Sequence, residues 1–185
     1  MSADLSRLLN AIGLLAIGTV LALALVDQVW FRDLPCGQCI LQRAGFFAAG
    51  FGIALNVIFG PKPSHYGIAI LGAMAGGAIS LHQTLMHIVP GTGSYGNAVF
   101  GMHLYTWAFF AFALTIIGCA IMMLDDRQFA RTAPMSARLR VLPLSALLLF
   151  MALVIANIFS TVALCGAGHC PDNPSDYIMF ATSPV

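Results

Sequence analysis

Apolar residues run along this chain in long unbroken blocks, without the alternation of a strand or the one-sided recurrence of a soluble amphipathic helix. Five such blocks, about residues 8–30, 40–60, 66–89, 103–124 and 141–164, hold almost no charge and are separated by stretches with Pro, Gly, Asp, Lys or Arg. A hydrocarbon layer about 30 Å thick takes roughly 20 helical residues to cross, which is the length these blocks share. The pattern predicts an all-α membrane protein: a bundle of about five transmembrane helices over residues 1–164, followed by a polar tail over residues 165–185.

Composition agrees with lipid as the main solvent. Of 185 residues 59% are hydrophobic and 8% charged, more apolar surface than one soluble core of this size encloses. The first block is longer than the 7 to 15 residue core of a signal peptide and ends in "DQVWFRD" instead of a small-residue cleavage site, so it is expected to stay as a membrane helix. Arg7, Lys62, Arg127, Arg131, Arg138 and Arg140 collect on one face, against Arg32 and Arg43 on the other. Positive charge marks the cytoplasmic side, which places the N-terminus in the cytoplasm and the C-terminus outside, in the periplasm of a bacterium. A net charge of +1 excludes a nucleic-acid surface.

This topology gathers four of the five cysteines on the outer side: Cys36 and Cys39 at the mouth of the second helix, Cys165 and Cys170 just beyond the fifth. Cys119 lies deep in the fourth helix, where a thiol packs as a small hydrophobe. The outer compartment of a bacterium is oxidising, so each outer pair can form a bridge. The outer segments are too short to need stapling. A helix start also favours a thiolate, through unpaired N–H groups and the positive dipole end, and Pro35 suits a sharp turn into the helix. Cys36 and Cys39, three residues apart, share a helical face and can bridge or open without refolding. Four thiolates with His169 between the second pair could instead hold zinc, although structural zinc usually stabilises a small polar module. Arg43 lies one turn below Cys39. An arginine there either snorkels to headgroups or serves as a fixed cation for a thiolate or a reduced oxygen.

The run Pro35, Cys36, Gly37, Gln38, Cys39, Ile40, Leu41, Gln42, Arg43 resembles the signature of the DsbB family of membrane disulfide-forming enzymes, Pro-Cys-x-x-Cys followed closely by Arg at the outer start of the second helix. The resemblance extends over roughly the first 125 residues. It implies a relay in which a reduced periplasmic thiol oxidase of the DsbA type gives electrons to one cysteine pair, from which they pass to the CxxC pair and on to ubiquinone or menaquinone. Carried over by position, Cys39 would be the thiolate that meets the quinone, Cys36 its disulfide partner and Arg43 the quinone-interacting cation. Better-known members have four helices and keep the second pair in the loop between the third and fourth. Here that loop, "PGTGSYGNAVFGM", has no cysteine, so Cys165 and Cys170 are the candidates for that task. The tail "CPDNPSDYIMF" has no run long enough for a stable helix and is expected to swing between the partner and Cys36.

At the depth a quinone headgroup would take, the third helix carries His82 and Gln83, expected to bind quinone oxygens or carry protons, with His87 as a spare. Asp27 is an intramembrane carboxylate for which Arg43 or Arg32 is the expected ion-pair partner. Tyr105 and Trp107 suit an interfacial aromatic belt or the wall of a ring-shaped ligand. "GAMAG", residues 72 to 76, has the GxxxG spacing of closely packed membrane helices. Two rival readings are a membrane scaffold whose outer cysteines are static staples, and an enzyme similar to vitamin K epoxide reductase, whose CxxC should lie later in its bundle.

Overall fold

The computed structural model describes residues 2–89, 91–94, 96, 98–130, 140–166, 168, 170 and 174–180. Five helices account for most of it: α1 (Ala3–Trp30), α2 (Gly37–Phe59), α3 (Pro63–Met86), α4 (Leu104–Met123) and α5 (Val141–Cys165). All five are long and apolar enough to cross a membrane, so the protein is an all-α, multi-pass membrane bundle. Arg131, Arg138, His169 and part of the predicted tail lie outside the described residues.

The helix ends follow local chemistry more than hydropathy. α1 begins at Ala3, five residues ahead of its apolar block, because Ser2 caps it: the Leu5 N–H donates to Ser2 Oγ at 3.2 Å. α3 opens on Pro63, whose missing N–H is harmless in a first turn. The loop before α4 contains a small hairpin, β1 (Ala98–Val99) paired antiparallel with β2 (Met102–His103), which the hydropathy pattern does not register.

Packing is closest between α2 and α3, where side chains are removed from the interface. A Cβ on Gly45 would stand 2.6 Å from Gly76 Cα, and one on Gly72 would stand 2.6 Å from Ala49 N. The GxxxG pair of α3 thus works within the chain, as expected. Gly76 also leaves room for Phe112 of α4, whose ring stacks on Phe46 with centroids 3.9 Å apart. α1 packs on α2 and α5, and α4 on α3, while α1 and α4 barely touch. A groove is left between them. Large apolar side chains such as Leu71, Leu114, Leu148 and Phe159 point outward, as a lipid solvent allows.

The end of the bundle away from the CxxC is closed by a buried polar lock. Ser6 Oγ and the Tyr66 hydroxyl both donate to Gln128 Oε1, at 2.6 and 3.1 Å. Asn10 Nδ2 donates to the Tyr66 oxygen at 2.7 Å, and Asn56 Nδ2 donates to Asn10 Oδ1 at 3.1 Å. Asn56 Oδ1 in turn accepts the Lys62 N–H at 3.0 Å. Each group would be costly in lipid alone; together they tie α1, α2, α3 and the 3-10 turn Asp126–Phe129.

Candidate active site

Cys36 is the N-cap of α2, with extended backbone (φ −69°, ψ 167°), and its sulfur accepts the Cys39 N–H at 3.3 Å. Pro35 precedes the cap and Gly37 is the first helical residue, so the proline directs the approach to the helix from just outside it. The two sulfurs are free thiols 2.7 Å apart. Cys36 is buried and Cys39 half-buried.

Behind the pair stands Gln83, fully buried, whose Nε2 donates to Cys36 Sγ at 3.4 Å and approaches Cys39 Sγ at 3.8 Å. Its orientation is set by Gln42, whose Nε2 donates to Gln83 Oε1 at 2.6 Å. The acidity expected at the helix start falls on Cys36. Donation from the Cys39 thiol, helped by the Cys39 and Gln38 N–H groups and the Gln83 amide, outweighs burial and pulls the Cys36 thiol down to about 6. Cys36 is therefore mostly thiolate at neutral pH when the pair is reduced.

In front of Cys39 lies a cavity of about 470 Å³ at the upper part of the α1–α4 groove. Its polar wall includes Cys36, Cys39, Gln42, Arg43, Asp27 and Asp33; its apolar wall includes Phe46, Tyr105 and Trp107. Trp107 is fixed by donating Nε1–H to the Val99 carbonyl at 3.0 Å, so the hairpin holds one side of the wall. Tyr105 is buried and stacks on His103.

Arg43 is 7% exposed, which rules out a side chain snorkelling to the surface. Nη1 donates to Gln28 Oε1 at 2.7 Å and Asn157 Oδ1 at 3.3 Å, and Nη2 donates to the Ala24 carbonyl at 3.1 Å. All three acceptors are neutral, so the charge is held in place without being cancelled. The expected ion pair with Asp27 is not made: Arg43 turns to the amides of α1 and α5, and Asp27 stays on the cavity wall.

The remaining expectations divide. His82 is exposed and pairs through Nδ1 with Gln38 Nε2 at 3.3 Å, outside the cavity lining, whereas Gln83 meets the sulfurs. Cys165 and Cys170 are joined in a disulfide with Cα atoms 4.6 Å apart, which removes two of the thiolates a four-sulfur zinc cage would need. Cys119 is buried in the core, as predicted. The tail does not stand free in this structure: the 3-10 turn Ile178–Phe180 lies against α5, and the Tyr177 hydroxyl accepts from Gln28 Nε2 at 3.0 Å. Three residues escaped the sequence reading, Gln28, Gln42 and Asn157. Their signal was available, since Asn157 is an amide isolated in an apolar block and Gln28 and Gln42 adjoin the charged Asp27 and Arg43 within theirs, and such residues mark functional or interhelical contacts.

Comparison with known proteins bears on the part of the chain that carries this chemistry. The family model for disulfide bond formation protein DsbB matches residues 6–94, which span α1 to α3 with the CxxC, Arg43 and Gln83. A disulfide bond formation protein B of Azoarcus sp. (strain BH72) is 32% identical over 75 residues, covering 38% of this chain and 45% of that relative. The match therefore spans less than half the length of the relative. No solved structure matches the chain.

Proposed function

We propose that the chain is a member of the DsbB family, whose model matches residues 6–94, and that it is a quinone-dependent thiol oxidase of the bacterial inner membrane. In this reading it reoxidises a periplasmic thiol oxidase of the DsbA type. The observation that carries the proposal is the placement of Cys39 and Arg43 on the wall of one cavity in the groove between α1 and α4.

The residues present suit a quinone. A volume of about 470 Å³ falls within the size of small-molecule sites, and its walls are apolar and aromatic with a few converging polar groups. Phe46, Tyr105 and Trp107 would flank the ring, and Arg43 and Gln42 would offer donors to its oxygens. A bound quinone supplies an acceptor for two electrons and two protons.

The chain's own work is thiol exchange and charge placement. A thiolate of the reduced partner attacks the Cys165–Cys170 disulfide, and the partner's second thiol displaces the tail, leaving the partner oxidised and both tail cysteines as thiols. A tail thiolate then attacks Cys36 in an oxidised Cys36–Cys39 pair, and Cys39 departs as the free sulfur. With Cys36 bound in that mixed disulfide, Cys39 no longer shares its proton with a neighbouring thiolate and faces the cavity beside Arg43. Resolution by the second tail cysteine restores Cys165–Cys170 and leaves both inner thiols reduced. The Arg43 cation favours negative charge on the cavity side of Cys39 or on an oxygen beside it. For two electrons about 30 mV corresponds to 1.4 kcal/mol, so a strongly oxidising acceptor at the end draws the exchanges forward.

The test is direct. Purified protein, a reduced DsbA-type oxidase and either ubiquinone or menaquinone should show loss of quinone absorbance matched mole for mole by partner disulfide. Absence of quinone reduction with both quinones, in protein whose outer cysteines resist exchange, would leave the static-staple reading in its place.

A further inference from the structure

Gln28 is 1% exposed and lies between two partners of different kinds. Its Oε1 accepts from Arg43 Nη1 at 2.7 Å, and its Nε2 donates to the Tyr177 hydroxyl at 3.0 Å. A carboxamide in this position has one workable orientation, because turning it over would set its N–H against the guanidinium N–H. The Tyr177 oxygen, by accepting from the amide nitrogen, anchors the side chain from its other side and holds it against Arg43. Upstream of Tyr177, the Cys165–Cys170 disulfide ties Cys170 to the end of α5, where Gly166 turns with φ +61°. Beyond Tyr177 the turn Ile178–Phe180 packs back on α5, with Ile178 Cγ2 3.4 Å from where a Cβ on residue 166 would stand.

We propose that Gln28 is a positioning residue that reports the seating of Tyr177, and with it the closed outer disulfide, to Arg43. The cavity then holds its cation in the ligand-binding pose only while the outer pair is oxidised. The inference rests on the reading of Arg43 as the quinone-interacting cation. When a dithiol reduces the outer pair, two electrons and two protons convert the Cys165–Cys170 bond into two thiols, and the dithiol becomes a disulfide. The tie is released, Tyr177 leaves, and the buried Gln28 N–H loses its acceptor. Held from one side only, the Gln28 side chain swings on its own torsions toward another acceptor, its bond to Arg43 is broken, and Arg43 is left to Asn157 and the Ala24 carbonyl. Acceptor binding and partner exchange are thereby assigned to different redox states of the tail.

The experiment uses the full chain in detergent, labelled with 15N-arginine, with the Arg43 side-chain resonance identified by its loss in Arg43→Lys. Tyr177→Phe and the double variant Cys165→Ser/Cys170→Ser should each move that resonance in the same direction, and combining them should move it no further. A short-chain ubiquinone should bind about threefold to tenfold more weakly to each, again without addition, and in a Gln28→Leu background neither change should have an effect. An Arg43 resonance indifferent to Tyr177→Phe, or a Tyr177→Phe effect that persists in Gln28→Leu, would overturn the proposal. If the resonance follows Tyr177 while the parent chain binds no quinone, the relay through Gln28 stands and the quinone reading falls.

Discussion

The two ends of this bundle use the same kinds of polar side chain for opposite purposes. Away from the cysteines, Ser6, Asn10, Asn56, Tyr66 and Gln128 satisfy one another and draw four elements together. At the cysteine end, Gln83, Gln28 and Asn157 each bond a reactive group, a sulfur or the Arg43 guanidinium, Gln42 orients Gln83, and a cavity stays open beside them. In lipid a buried amide must be paired in either case. What differs is whether its partner is another structural group or one that has chemistry left to perform. The sealed end should therefore govern stability and the open end reactivity, with little exchange between the two.

The largest effect that would test this division is at Cys39. Cys39→Ser should abolish thiol-dependent quinone reduction while leaving the thermal unfolding midpoint in detergent within a degree or two of the parent; a collapse of the fold would blur the division. Arg43→Leu should lower the same rate by about 100-fold, the scale on which removal of a positioned donor to a developing oxyanion acts, and Arg43→Lys should recover only part because an ammonium lacks the planar fork. At the other end, Tyr66→Phe should cost about 1–3 kcal/mol in unfolding, since Asn10 and Gln128 lose a buried partner, with Cys36 reactivity unchanged. The smallest effect concerns Gln83→Leu, which should raise the pKa of Cys36 from about 6 by about one unit. The reactive form is the thiolate and its pKa is lowered, so alkylation of Cys36 in the reduced pair is fast above pH 6 and declines as pH falls through that value. A pH profile of alkylation in the parent and the variant measures the displacement.

Much of the bundle is legible in sequence because lipid makes one demand, an apolar run of crossing length, and five runs satisfy it. Helix ends are less so, since the start of α1 depends on one serine hydroxyl. The CxxC is readable as chemistry from its residues and side of the membrane, but which thiol becomes acidic depends on where the Cys39 N–H and the Gln83 amide come to lie. For Asp27 the sequence offers Arg43 or Arg32 as an ion-pair partner, because opposite charges in lipid seek each other. Gln28 lies one residue further along the same helix and Asn157 comes from α5, and neither carries a charge that would advertise the contact. The cavity was the least visible feature. It exists because glycines let α2 and α3 close up while α1 and α4 do not, a property of spacing between helices that no single helix states.

The polar lock also has a bearing on how the molecule is made. Its last member in chain order, Gln128, follows α4, so a chain synthesised from its N-terminus can complete the lock before α5 exists. The unfinished four-helix intermediate would then have its far end settled, while Arg43 waits for Asn157. Arrival of α5 brings that partner and the Cys165–Cys170 pair in the same step, so the cysteine end is assembled last, upon a frame already closed at the opposite end.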